Sequence, residues 1–89
     1  MKELDILFGK IKAMKEILKS VDVKLEVKIF TFDGEVDIII DSKYIDKLYS
    51  RAIELYIDEY TDIGTKFHEL QSIHNEMFNI IKKLIKGGK

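Results

Sequence analysis

From Ser42 to Lys86, half of the chain reads as helix almost without interruption. Ile45, Tyr49, Ala52, Tyr56, Tyr60, Ile63, Phe67, Leu70, His74, Met77, Ile81 and Leu84 recur at steps of three and four, the spacing of a helix face that seeks a partner. Thr61, Asp62, Gly64 and Thr65 lower the helix propensity at the centre, yet the step from Tyr60 to Ile63 to Phe67 passes Gly64 without losing phase. The favoured reading is one long helix, kinked at most. The alternative is a helical hairpin broken near Gly64, with Gly64 as C-cap and Thr65 as the next N-cap. A straight helix of about 45 residues would span roughly 65 Å, more than twice the length of the helix preceding it, so a second chain would be needed to cover its apolar stripe.

The residues before this stretch predict a helix and a β-hairpin. Leu4, Leu7, Ile11, Met14 and Leu18 keep the three-four spacing, with Phe8 and Ile17 widening the stripe. Gly9 lies inside that helix and reads as a tolerated glycine rather than a point of close approach. From Val21 to Phe32 the period changes to two, with Val21, Val23, Leu25, Val27, Ile29 and Thr31 on one face. Asp33-Gly34 then predicts a type I′ turn, which pairs Phe32 with Glu35 and sets Val36, Ile38 and Ile40 opposite Thr31, Ile29 and Val27. Asp41 and Ser42 are N-cap residues for the long helix. The expected fold is α+β in one domain, residues 1–89, in the order α-β-β-α(α). Phe30, Phe32 and Ile39 fall on the nominally solvated face of the hairpin, among Lys24, Glu26, Lys28, Glu35 and Asp37. Aromatic side chains there serve a dimer or helix contact more readily than base stacking.

Composition narrows the function classes. The chain has 89 residues with 46% hydrophobic side chains, so a small domain holds more apolar surface than it readily buries alone. It has no cysteine, which excludes disulfides and thiolate metal sites and makes the cytoplasm the expected compartment. No run approaches the roughly 20 apolar residues that span a bilayer, and Met1 to Ser20 has no signal-peptide core. The net charge of −1 argues against a protein devoted to phosphate backbones. The charge is unevenly spread: Val21 to Asp41 holds six acids and two lysines, and Thr65 to Lys89 five lysines and two acids. Lysines near helix C-termini suit the helix dipole. The basic tail, Ile80 to Lys89, reads as a fraying helix end in preference to a membrane or phosphate contact. Abundant isoleucine and lysine fit a thermophile or an AT-rich genome.

Candidates for chemistry are few. His68 and His74 are six apart on a helix, the wrong spacing for a metal pair. Asp33, Glu35, Asp37 and Asp41 cluster at the hairpin, where a solvated face paired with Lys24 and Lys28 is the simpler reading than an acid-base or magnesium site. No phosphate loop, nucleophile elbow or dinucleotide fingerprint is present. The tyrosines Tyr44, Tyr49, Tyr56 and Tyr60 suit the rim of an interface. The resulting expectation is a noncatalytic interaction or scaffold module without cofactor or metal. It self-associates, as a dimer by preference, through Ile45, Tyr49, Tyr56, Tyr60, Ile63, Phe67, Leu70, His74 and Met77 of the long helix and Phe30, Phe32 and Ile39 of the hairpin. The alternative is a small dimeric nucleic-acid-binding or regulatory protein that gathers its lysine-rich helix ends into one surface. An unidentified protein partner is compatible with either.

Overall fold

A computed structural model describes residues 2–87. The order is α1 (Lys2–Ser20), β1 (Leu25–Thr31), β2 (Gly34–Ile40), α2 (Ser42–Ile57) and α3 (Ile63–Gly87), the expected α+β arrangement with the C-terminal half as two helices. Gly88 and Lys89, the last residues of the basic tail, lie outside the described residues.

Helix α1 buries Leu4, Leu7, Ile11, Met14 and Leu18, the stripe its spacing predicts. Ile17 is not part of it and lies exposed. The helix ends in a Schellman motif. The Val23 N–H donates to the Leu18 carbonyl at 3.4 Å and the Asp22 N–H to that of Lys19 at 3.3 Å, while Asp22 takes the left-handed conformation at φ 52°. Val23 and Leu18, both buried, make the apolar contact that accompanies this cap. Strand β1 therefore starts at Leu25, later than the alternation from Val21 implies.

The hairpin register is Leu25↔Ile40, Val27↔Ile38, Ile29↔Val36 and Thr31↔Gly34. This corrects the expected pairing by two residues. The loop is Phe32-Asp33, and the positive φ, 127°, falls on Gly34, the residue without a Cβ. A type I′ turn on Asp33-Gly34 would have forced Asp33 into the same region at a steric cost. Because the slip is two residues and side chains alternate with period two, the inward face is unchanged.

Asp41 caps α2, its Oδ1 accepting the Tyr44 N–H at 3.1 Å. The continuous-helix reading fails between Asp58 and Asp62. Asp58 Oδ1 accepts the Tyr60 N–H at 2.8 Å and its Oδ2 accepts the Thr61 hydroxyl, so local side-chain bonds replace the helical ladder. Asp62 then caps α3 by accepting the Thr65 N–H at 3.2 Å. Lys66, buried within the first turns of α3, donates from Nζ to the Asp58 carbonyl and, at 3.4 Å, to that of Tyr56, the last turn of α2. Gly64 is neither cap nor break, for it sits inside the first turn of α3.

The break folds α3 back along α2. Lys19 Nζ reaches Asp46 at 2.9 Å, Tyr56 donates to Asp5, Arg51 meets Glu69 at 3.3 Å and Tyr44 donates to Glu76. Hence α2 runs antiparallel to both α1 and α3, and the three helices pack mutually. Their core is closed at one end by Val23 and Ile40, the base of the hairpin. The radius of gyration, 14.2 Å, exceeds the ~12 Å of a closely packed 89-residue domain. With extents of 39 × 33 × 19 Å the chain is a flattened body.

Candidate interaction surface

The hairpin is anchored only at its base. Leu25, Val27, Ile38 and Ile40 pack on the helical core, β2 against α2, but Ile29 and Val36, next along the same face, are exposed. On the opposite face Phe30 is 77% exposed and Ile39 about half exposed, and Phe32 stands fully in solvent at the tip. Both faces of the outer hairpin therefore present large apolar groups. The acids share that outer face with one lysine: Phe30 is opposite Glu35, Lys28 opposite Asp37 and Glu26 opposite Ile39, with Lys28 Nζ 3.8 Å from Glu35.

Helix α3 carries two apolar faces. The buried one is Lys66, Leu70, Ile73, Met77 and Ile80, with Leu84 half-buried. The stripe expected from spacing shares Leu70 and Met77 with it but is rotated toward Ile63, Phe67, His74 and Ile81. Ile63 and Phe67 are accordingly exposed, as are Phe78 and, at 76%, Ile85. At the N-terminal end of this flank Ile63, Gly64 and Phe67 form, with Glu3 and Leu4 of α1, an open cleft of about 340 Å³ with an apolar wall. At the other end Leu84 and Ile85 meet Val21–Lys24 around a second cleft of about 450 Å³. His74 is half-buried, its ring stacked 6.2 Å from that of Phe78, and Lys82 Nζ lies 5.6 Å from the Phe78 centroid.

The twelve residues expected at an interface divide into three groups. Ile45, Leu70 and Met77 are completely buried inside the subunit and offer nothing to a second copy, a correction that follows from the helical hairpin: α1, α2 and α3 cover one another. Tyr49 and Tyr56 are also used within the chain. Phe8 stacks on Tyr56 at 4.3 Å and on Tyr49 at 5.9 Å, and Lys15 lies 4.7 Å above the Tyr49 ring. Phe30, Phe32, Ile39, Tyr60, Ile63 and Phe67 remain open, with half-buried His74 at the margin. Phe78, Ile85, Ile29 and Val36 are exposed as well and lie outside the expected set. The first two follow His74 and Ile81 by one helical turn, on the flank of the predicted stripe, and the second two alternate onto the side of the hairpin expected to be buried.

The electrostatics of the tyrosines follow from their partners. Burial, reinforced by the hydrogen bond to Glu76, pushes Tyr44 up to about 12. The hydrogen bond to Asp5 raises Tyr56. In the turn, Asp58 is held below the ordinary carboxylate value by the Thr61 hydroxyl and the Tyr60 N–H, and Asp62 by the Thr65 hydroxyl and N–H. Among the described residues no group of three or more His, Asp or Glu side chains is placed to hold a metal ion, and no helix is long and apolar enough to cross a membrane. Compared with family models, curated proteins and solved structures, the chain matches none.

Proposed function

We propose that this chain is a small noncatalytic interaction module, a scaffold or adaptor, that self-associates as a homodimer through the open flank of α3 and the outer hairpin. The observation that carries this is the amount and kind of surface left open. The chain exposes 6549 Å², against about 5,400 Å² for a typical folded monomer of its mass. The excess of about 1,100 Å² is larger than the ~800 Å² that each partner contributes to a standard stable interface. Its most exposed large side chains are Phe30, Phe32, Tyr60 and Ile85. A net charge of −1 leaves little long-range repulsion between copies.

Several polar side chains of the types that serve catalysis are engaged in holding the fold. Asp41 and Asp62 cap helices, Tyr44 and Tyr56 clasp Glu76 and Asp5, and Lys66 binds the carbonyls at the end of α2. Self-association has a thermodynamic signature, because a dimer is stabilised by mass action. The melting temperature rises with protein concentration across the micromolar range. A melting temperature independent of concentration, with reversible unfolding, overturns the proposal.

A further inference from the structure

Two patches of opposite charge and similar hydrophobicity lie at the same end of the molecule. The hairpin, Leu25 to Ile40, carries Glu26, Asp33, Glu35 and Asp37 against Lys28, a formal charge of −3. The last turns of α3, Phe78 to Gly87, carry Lys82, Lys83 and Lys86 and no acid, a charge of +3. Each patch has its own apolar centre: Phe30 and Ile39 on the hairpin, Phe78 and Ile85 on the helix, all exposed. Phe78, Lys82, Ile85 and Lys86 recur at the spacing of one helix face. The two patches belong to one end because Val21–Lys24, which lead into β1, meet Leu84 and Ile85 across a shared cleft. Among the described residues no ion pair joins them within a subunit.

We infer that the dimer is built by reciprocal exchange of these patches: the hairpin of each copy lies across the last turns of the other copy's α3, Phe30 and Ile39 on Phe78 and Ile85, with Glu26, Glu35 and Asp37 beside Lys82 and Lys86. This deepens the self-association reading and rests on it. Charge decides the pairing. Two hairpins face to face would bring −6 together and two α3 ends +6, whereas the exchange places −3 on +3 twice. The hairpin also calls for such a cover, since two strands alone are marginal and gain stability from a helix packed on a face. Both patches sit at one end, so a single twofold axis there satisfies both contacts and closes the assembly at two copies.

Charge reversal tests this on the full chain by sedimentation equilibrium. One variant carries Glu35→Lys and Asp37→Lys, the other Lys82→Glu and Lys86→Glu; all four side chains are exposed, and circular dichroism checks that each variant folds. Alone, each variant faces like charge on like, and its dimer dissociation constant rises by roughly tenfold or more. Mixed in equal amounts the two variants restore the dimer, because in the mixed pair both contacts are again of opposite sign. Added salt weakens the wild-type dimer. A wild-type dimer that either variant alone leaves intact, or that mixing fails to restore, overturns the exchange and leaves self-association standing. A monomeric wild type overturns both.

Discussion

Asp22 holds left-handed backbone at φ 52° because the Schellman motif closing α1 needs that conformation at the residue before Val23. Glycine adopts it without the Cβ clash that an L side chain carries. Asp22→Gly is therefore expected to stabilise the chain by about 0.5–1 kcal/mol in chemical denaturation; a loss of stability would show that the aspartate side chain supports the turn. Gly9 is the opposite case, a glycine in the middle of a helix where an added Cβ meets nothing within 4 Å. Gly9→Ala should raise stability by up to about 1 kcal/mol, and an unchanged midpoint would contradict the helix geometry at that turn. Tyr44 ties α2 to α3 through Glu76, and its pKa, raised mainly by burial and then by that hydrogen bond to about 12, lies above that of the unfolded chain. The stabilisation is thus fully present below pH 10 and is lost as the pH rises through 12. Tyr44→Phe should flatten this alkaline decline relative to the wild type, and a decline of the same size in both would remove Tyr44 as its source.

Legibility followed the distance over which the forces act. The α1 stripe and the Asp41 cap are visible in the spacing because each depends on residues within one or two turns. So is the α+β order, since a change of period from 3.6 to 2 marks it directly. The break between α2 and α3 is not, although Thr61, Asp62 and Gly64 are weak helix formers. Periodicity runs through Tyr60, Ile63 and Phe67, while the bonds that win are made by Asp58, Thr61 and Asp62 with the backbone beside them and by Lys66 reaching back to Asp58 and Tyr56. A buried lysine on an otherwise apolar stripe leaves no mark in hydrophobic spacing. Lys66→Met keeps the volume but leaves those carbonyls without their donor, at an expected cost of about 1–3 kcal/mol; a neutral result would show that water replaces the ammonium group. The carboxylates of the turn add an acid dependence. Asp58 and Asp62 titrate below their ordinary value in the folded chain, so their contribution is present above the unfolded value of 3.8 and is lost as the pH falls through the depressed folded values. Protection of the Tyr60 and Thr65 amides against hydrogen exchange, relative to their intrinsic rates, should fall in that window ahead of the α1 core, and a uniform loss of protection would contradict a local role for the two acids.

At the scale of the whole molecule, the helical hairpin changes which surface is left over. With one long helix, the stripe through Ile45, Leu70 and Met77 would have needed a second chain; folded back, the three helices bury those side chains themselves. What remains open is the other flank of α3 and a hairpin that overhangs its support, neither of which spacing alone distinguishes from core. Ile29 and Val36 alternate correctly for a buried face and lie in solvent because the helical layer ends beneath Val27 and Ile38. The accessible surface, the flattened body and the exposed Phe30, Phe32 and Phe78 all follow from that arrangement. Light scattering on the purified full chain at micromolar concentration tests it most directly. A mass near twice 10.4 kDa is the expected result, and a mass of 10.4 kDa at every concentration contradicts it.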